Sequence, residues 1–357
     1  MKELTISVAM ATFNGERFLR EQVESLARQT LLPDEIVVCD DGSADGTLDV
    51  LHRFAAEAPF PVRIYQNETR LGYRLNFLRA ASLCSGSLIA FSDQDDVWLG
   101  QKLQRCRAVI SETGSVLVIH SARVVDEKLM PLGRRTPSAR RLTCLDSGTG
   151  RGWHTLAWRL GMSPGFACVF RSRLLSQVPP VPPLSGPGRG HEYWLFFAAE
   201  ATGSVTLIPD ALVLYRQHGR NTAGFRAHPE RGLQPVLNAG GAEYTHQAET
   251  AALCAGLLAD AAARSPELRL RLTRAQRWHE ERAKSLALRA SLYSSGPSFW
   301  AAAWRLFSLI FGSVYRPISQ GGLGFQALAK DLVVPLLPRT LGAATLAAAP
   351  SPRRHRS

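Results

Sequence analysis

The sequence predicts an α/β fold: a mostly parallel sheet with flanking helices, followed by a helical C-terminal region. Three observations carry this. Through the first 120 residues, short β-branched runs alternate with stretches of helical apolar spacing. Polar and acidic clusters stand directly after three of those runs, where a parallel sheet collects its ligand-binding loops. After Gly240 the strand signal gives way to helical patterns almost throughout. With 357 residues, 45% of them hydrophobic, the chain can bury a large core, and no repeat interrupts it.

In chain order, Leu4–Met10 predicts the first strand, Arg17–Gln29 a helix, Glu35–Cys39 a strand and Thr47–Ala58 a helix. The alternation continues with Val62–Tyr65, Leu75–Ser85, Leu88–Phe91, Gln101–Ser111 and Val116–Ile119. From about 121 to 190 the pattern weakens into a basic loop (Arg134, Arg135, Arg140, Arg141) and a Pro/Gly stretch, Pro179–Gly190, expected to be a mobile loop. His191–Ala201 reads as a helix, and Val205–Ile208 and Leu212–Tyr215 as strands. The expected division is residues 1–230 as one α/β domain, 231–349 as a basic helical region and 350–357 as a disordered tail.

Charge sharpens that division. Residues 1–230 hold 26 basic against 23 acidic side chains, whereas 231–357 hold 16 against 7. A near-neutral body with a basic appendage suits an anionic membrane surface. A nucleic-acid-binding protein is the rival reading of the excess, but no basic-aromatic recognition motif accompanies it, so no nucleic-acid partner is expected. Six cysteines at long spacings argue against a zinc site or a disulfide scaffold. Met1–Met10 is too short an apolar stretch for a signal peptide, and Arg305 interrupts the nearest approach to a spanning helix, Pro297–Tyr315. In that stretch Trp300, Trp304, Phe307, Phe311, Val314 and Tyr315 recur at helical spacing, an aromatic stripe suited to a core or to a membrane interface.

The chemistry concentrates on the rim. Thr12-Phe13-Asn14-Gly15 follows the first strand, Asp40-Asp41-Gly42-Ser43 the second, and Asp93-Gln94-Asp95-Asp96 the fourth. Adjacent carboxylates on a short turn are costly without a counter-ion, and hard cations such as Mg²⁺ or Mn²⁺ take oxygen ligands of this kind while bridging to phosphates. Taken alone, the acidic run is a surface turn and Thr12 or Asn14 a helix cap.

Five segments in series decide otherwise. Ser7–Asn14, Gln29-Thr30, Glu35–Thr47, Asn67–Gly72 and Phe91–Asp96 resemble, in order and spacing, family 2 glycosyltransferases of the GT-A fold, over roughly residues 4 to 220. Within that family Ser92–Trp98 and Tyr215-Arg216-Gln217-His218 with Asn221 are similar to bacterial rhamnosyltransferase-type enzymes of surface polysaccharide assembly. The resemblance implies that Ala11, Thr12 and Phe13 line the base and ribose of a nucleoside diphosphate sugar, that Asp41 bonds the base and that Asp93 faces the sugar side. It further implies that Asp95, with Asp96, holds Mg²⁺ or Mn²⁺ on the diphosphate, while Arg216 and His218 contact diphosphate or metal. Glu192 would be the general base, where the family usually has Asp; Gly161 departs from a common Asn. The implied activity is inverting transfer, with dTDP-rhamnose the first donor considered and a lipid-linked or polysaccharide hydroxyl as acceptor. The expected location is cytoplasmic, peripheral on the inner face of the membrane. The alternative is a catalytically inactive glycan-binding relative.

Overall fold

The computed structural model describes residues 4–136, 143–146, 164–180, 190–219, 221 and 241–293, together with Trp304, Phe307, Leu309, Ile310 and Leu328. The chain divides into two compact units, Met1–Pro229 with Ala255–Trp278, and Glu230–Cys254 with His279–Ser357.

The first unit opens with the predicted alternation: β1 (Ile6–Thr12), α1 (Glu16–Ala27), β2 (Glu35–Asp40), α2 (Thr47–Glu57), β3 (Val62–Gln66), α3 (Tyr73–Ser82) and β4 (Leu88–Ser92). It continues with β5 (Val97–Trp98), α4 (Lys102–Thr113), β6 (Leu117–Val125), β7 (Pro131–Arg135) and β8 (Thr143–Asp146). A short 3-10 turn (Gly165–Ala167) leads into β9 (Cys168–Arg171), α5 (Leu174–Gln177), α6 (His191–Thr202) and β10 (Ser204–Arg216). One sheet runs in the order β3-β2-β1-β4-β9-β6-β10-β5, with β7 paired to β6 and β8 to β10. The first four strands are parallel, β9 lies antiparallel between β4 and β6, and β6 runs parallel to β10.

β1, β2 and β4 are buried along their whole length, because helices cover both faces of a parallel sheet. Their few polar side chains are therefore paired. At the amino ends, Glu35 accepts hydrogen bonds from Ser7 Oγ at 2.7 Å, Ser85 N at 2.6 Å and Arg63 Nη2 at 2.6 Å. Burial raises the Glu35 carboxyl, but these donors outweigh it and hold the group down at about 2. At the carboxyl ends β1, β2 and β4 stop side by side, with Thr12 in register with Asp40 and Met10 with Ser92. That rim carries the site.

Three sequence expectations change in the structure. The runs 205–208 and 212–215 are one strand, β10, whose register against β6 shifts between Ile208 and Ala211 around Pro209-Asp210. Arg134 and Arg135 lie in β7 and not in a loop, since Arg123 and Val124 of β6 supply the partners that no local pattern reveals. The predicted strand Val116–Ile119 captures only the opening of β6, which starts at Leu117 and runs on to Val125. Most of Pro179–Gly190, and all of 350–357, lie outside the described residues.

The helices α7 (Gly241–Arg264) and α8 (Arg269–Leu292) follow. Within the second unit Tyr244, Ala248, Leu286 and Ala290 form a small core, and Leu292 packs with Leu309. Trp304 and Phe307 are helical, stack on each other at 5.9 Å and are 70% and 50% exposed. The rest of the predicted aromatic stripe lies outside the described residues. Among the described residues, no helix is long and apolar enough to cross a membrane.

Candidate active site

The loops at the carboxyl ends of β1, β2 and β4 enclose a cavity of about 890 Å³. Ala11, Thr12, Phe13, Asp41, Asp93, Asp95, Glu192 and His218 all line it. Asp96 and Arg216, the other two residues singled out from the sequence, are buried beneath it.

One wall is built by hydrogen bonding. Thr12 Oγ1 donates to Asp40 Oδ2 at 2.8 Å, which ties the end of β1 to the end of β2. Asp41 accepts from Asn67 Nδ2 at 2.7 Å, Leu71 N at 2.7 Å and Gly72 N at 2.8 Å. Its carboxylate thereby shapes the loop ahead of α3, and of its roughly four acceptor positions about one is left for a ligand. Gly72 takes φ 78° there, a left-handed conformation that suits glycine and points its N–H at Asp41. Above this wall the Arg70 guanidinium lies 3.8 Å from the centre of the Phe13 ring, and both residues face the cavity.

Gln94 joins this wall to the acidic turn. It accepts from Phe13 N at 2.8 Å and donates to Phe13 O at 3.0 Å, engaging that residue as a neighbouring strand would. Sequence reasoning passed over Gln94, although it stands inside the acidic motif; its role depends on a partner 81 residues away.

The acidic turn itself is different in kind. Ligand atoms of Asp93, Asp95 and Asp96 all lie within 4.8 Å of one another. Burial, then the charges of Asp95 and Glu192, push the Asp93 carboxyl up to about 8. Burial, then the charges of Asp95 and Asp93, place Asp96 well above the ordinary carboxylate range. Asp96 Oδ1 accepts from Arg216 N at 3.0 Å, but its buried Oδ2 has no partner among the described residues. Asp95 Oδ2 meets His218 Nε2 at 2.8 Å, and the His218 ring packs on Phe18 at 4.9 Å. Three crowded carboxylates and an orphaned buried oxygen are the donor set of a hard divalent cation, so the residues present fit Mg²⁺ or Mn²⁺.

Two buried cations support the turn from behind. Arg216 donates to Asp95 O at 2.8 Å and Glu127 O at 2.5 Å, pairs with Glu21 and lies over the Phe18 ring at 4.5 Å. With its donors so engaged, it fixes the backbone of the turn and does not reach the cavity. Lys102 Nζ donates to Phe166 O at 2.8 Å and sits 3.1 Å from the centre of the Trp98 ring. Burial lowers the Lys102 amine to about 7, although the charges of Asp96 and Asp93 favour its protonated form. The fourth strand announced the acidic motif, but neither support was legible as one, because each works through residues distant in sequence.

Glu192 faces the cavity from the first turn of α6. Burial raises its carboxyl above the ordinary value, which makes it a better proton acceptor than an exposed glutamate once ionised. A Cβ on Gly190 would lie 1.9 Å from Glu192 Oε2, so a glycine there leaves the carboxylate its place. His191 Nδ1 is 3.6 Å from Glu192 Oε2, yet burial lowers the imidazole to about 3 and the contact is not an ion pair. The neutral ring stacks on Phe77 at 4.2 Å and meets Phe91 edge-on.

With this geometry in hand, comparison with known proteins is decisive. Residues 7–178 match the family model for glycosyl transferase family 2. This chain carries a family 2 glycosyltransferase domain. Over 255 residues it is 28% identical to the uncharacterized glycosyltransferase alr2836 of Nostoc sp., covering 68% of this chain and 74% of that one. Over 101 residues it is 34% identical to the dTDP-rhamnosyl transferase RfbG of Shigella flexneri, 27% of this chain and 34% of that one. Among solved structures, S. aureus TarS 1-349 superposes with a TM-score of 0.52 at 19% identity, covering 88% of this chain and 82% of that one. The glycosyltransferase domain has the GT-A fold, a mostly parallel sheet with flanking helices and a helical C-terminal region, as the sequence predicted.

Proposed function

We propose that this glycosyltransferase moves a hexose, with inversion, from a nucleoside diphosphate donor to a hydroxyl of a lipid-linked or polysaccharide acceptor in cell-surface glycan synthesis. The observation that carries the reading is the meeting of Glu192 with Asp93 and Asp95 in one cavity beside the Thr12, Phe13 and Asp41 wall, with Asp96 buried directly behind the two aspartates. Single displacement requires a base on the acceptor side and charge stabilisation on the leaving-group side, with no covalent intermediate. Glu192 takes the proton from the acceptor hydroxyl. Phe13 and Arg70 offer a stacking surface for the base, and Asp41 keeps that wall in shape. Asp95, Asp96, Asp93 and His218 would hold a divalent cation, which when bound neutralises the diphosphate as it leaves. Arg216 keeps the turn in position from below.

Rhamnose from dTDP-rhamnose is the first donor to test, because RfbG, named a dTDP-rhamnosyl transferase, is 34% identical over 101 residues. Residues 1–230 form the catalytic domain in this reading. Residues 231–349 form a basic region that brings the enzyme to the inner face of the cytoplasmic membrane, in keeping with the exposed, stacked Trp304 and Phe307. The test is donor turnover with dTDP-rhamnose and a panel of UDP- and GDP-sugars, in Mg²⁺, Mn²⁺ and chelator. Metal-dependent transfer with an inverted anomeric centre is expected. Full activity in chelator removes the cation, a retained configuration removes the single displacement, and binding without any turnover returns the protein to the glycan-binding alternative.

A further inference from the structure

The β6–β7 hairpin leaves the cavity rim and is exposed in an unusual way. Its turn begins beside Glu127, which lines the cavity and whose carbonyl accepts from Arg216. The turn is rigid: Asp126 Oδ1 accepts from Lys128 N at 2.9 Å and Met130 N at 2.8 Å, and Leu129 is held at φ 64°. Every residue of β7 is exposed, and among the described residues β7 pairs only with β6, so it is an edge there. Arg123 stands directly opposite Arg135, and Arg134 opposite Val124. Arg123, Lys128, Arg134 and Arg135 are all exposed, and none makes an ion pair with a described residue. The two nearby carboxylates are committed elsewhere, Asp126 to the turn and Glu127 to Arg17 at 2.5 Å.

Like charges directly opposite on two strands destabilise a sheet unless something anionic lies across them. Basic residues on an edge strand also serve to prevent strand-to-strand aggregation. That explanation accounts for the charges but not for their neighbours, since Met130 and Leu132 are 61% and 46% exposed on the same hairpin. Bare apolar side chains defeat a purpose of solubility. Beside four unpaired cations, they have the composition of a membrane-interface contact, where headgroups answer the charge and the acyl boundary receives the apolar groups.

We infer that the β6–β7 hairpin is a docking element for an anionic lipid bilayer, seating the rim of the cavity against the surface where a lipid-linked acceptor lies. The occupant is the phosphate headgroup layer, chosen on charge complementarity. The inference shares with the proposed function the idea of a membrane acceptor, but it stands on different residues from the C-terminal region.

Sedimentation of the full chain with vesicles of equimolar phosphatidylglycerol and phosphatidylcholine separates the two. Wild type is expected to bind these and not pure phosphatidylcholine. Arg123→Ser/Arg134→Ser/Arg135→Ser is expected to weaken binding roughly 100-fold at low salt, about fivefold per charge removed. Met130→Ser/Leu132→Ser is expected to lose most of the binding that survives high salt. None of these side chains touches the cavity, so donor hydrolysis in solution should not change. Trp304→Ser/Phe307→Ser is the separate arm. If it alone releases the protein, the hairpin inference is overturned while the peripheral reading survives. If wild type binds no anionic vesicle, both go. Should the triple variant melt early, Met130→Trp decides: blue-shifted emission on anionic vesicles is expected, and an unmoved spectrum overturns the inference.

Discussion

Two pairs of adjacent aspartates follow parallel strands on the same rim, and they occupy opposite surroundings. Asp40 and Asp41 close β2, and the protein satisfies both: Asp40 accepts from Thr12, Ser43 N and Ser43 Oγ, and Asp41 from Asn67, Leu71 and Gly72. Asp95 and Asp96 follow β4, crowd against Asp93 and leave Asp96 Oδ2 without a partner among the described residues. The sequence signal is nearly identical in the two places. The difference is whether the surrounding loops bring donors to the carboxylates. Where they do in full, acid builds architecture; where they bring fewer, as at Asp96 Oδ2, the charge is costly to the fold and, in the proposed function, answers a ligand.

The largest expected effects test that difference directly. Asp95→Ala should lower transfer by roughly 10³-fold or more, because charge stabilisation at the leaving group is lost. The variant should unfold in urea at the same concentration as wild type, or higher, since a repelling carboxylate has gone. Asp41→Ala should behave in the reverse sense. It strands the Asn67 amide and the Leu71 and Gly72 N–H groups, costing about 2 to 4 kcal/mol of stability. If Asp95→Ala destabilises the chain as Asp41→Ala does, the acidic turn is structural and the contrast fails.

Glu192→Gln is next. It preserves shape and removes basicity, so turnover should fall roughly 10² to 10⁴-fold with donor affinity almost unchanged. Glu192→Asp should keep part of the activity. A wild-type rate for Glu192→Gln with the natural acceptor would move the base elsewhere on the rim, and His191, neutral and stacked on Phe77, would not replace it easily.

How far the sequence carried these readings follows the same line. β1 to β4 and their helices were legible because period and β-branching are local signals, and the acidic turn was legible because it stands beside a strand end. Gln94, Lys102 and Arg216 were not legible in their actual roles. Each acts by reaching a backbone atom far along the chain: Phe13, Phe166, and Asp95 with Glu127. β10 was split by Pro209-Asp210 for a related reason, since only its pairing with β6 carries it across that irregularity. Nothing in one sequence shows which of two acidic pairs will receive donors.

The two ends of the sheet also predict opposite responses to pH. Glu35 is held at about 2, below its ordinary 4.5, so its stabilisation is present above pH 4.5 and lost as pH falls towards 2. The shift corresponds to about 3 kcal/mol. Asp93 is raised to about 8, so its contribution in the metal-free chain is present below pH 4 and lost as pH rises through 8. Melting temperature in chelator should therefore decline on both sides. Glu35→Gln should flatten the acid limb and Asp93→Asn the alkaline one. A single limb abolished by both substitutions would mean that the two networks are not separate.

The smallest expected effect falls on the link between the two aspartate regions. Gln94 makes paired hydrogen bonds to Phe13 N and Phe13 O, and so holds the stacking wall in register with the acidic turn. Gln94→Ala removes both bonds but leaves Phe13 able to face water, so the loss should be about 1 to 2 kcal/mol and not the full cost of two buried groups. The loss should be seen in donor KM, raised roughly tenfold, with kcat little changed, because in the proposed mechanism the wall binds donor while the acidic turn and Glu192 act on the reacting bonds. Gln94→Glu is the sharper probe. It retains an acceptor for Phe13 N, loses the donor to Phe13 O and adds a carboxylate next to Asp93 and Asp95. If Gln94 only ties the loops, Gln94→Glu should resemble Gln94→Ala. If the acidic turn is as close to its electrostatic limit as its crowding indicates, Gln94→Glu should be the more damaging of the two in chelator, and added Mg²⁺ should recover the difference.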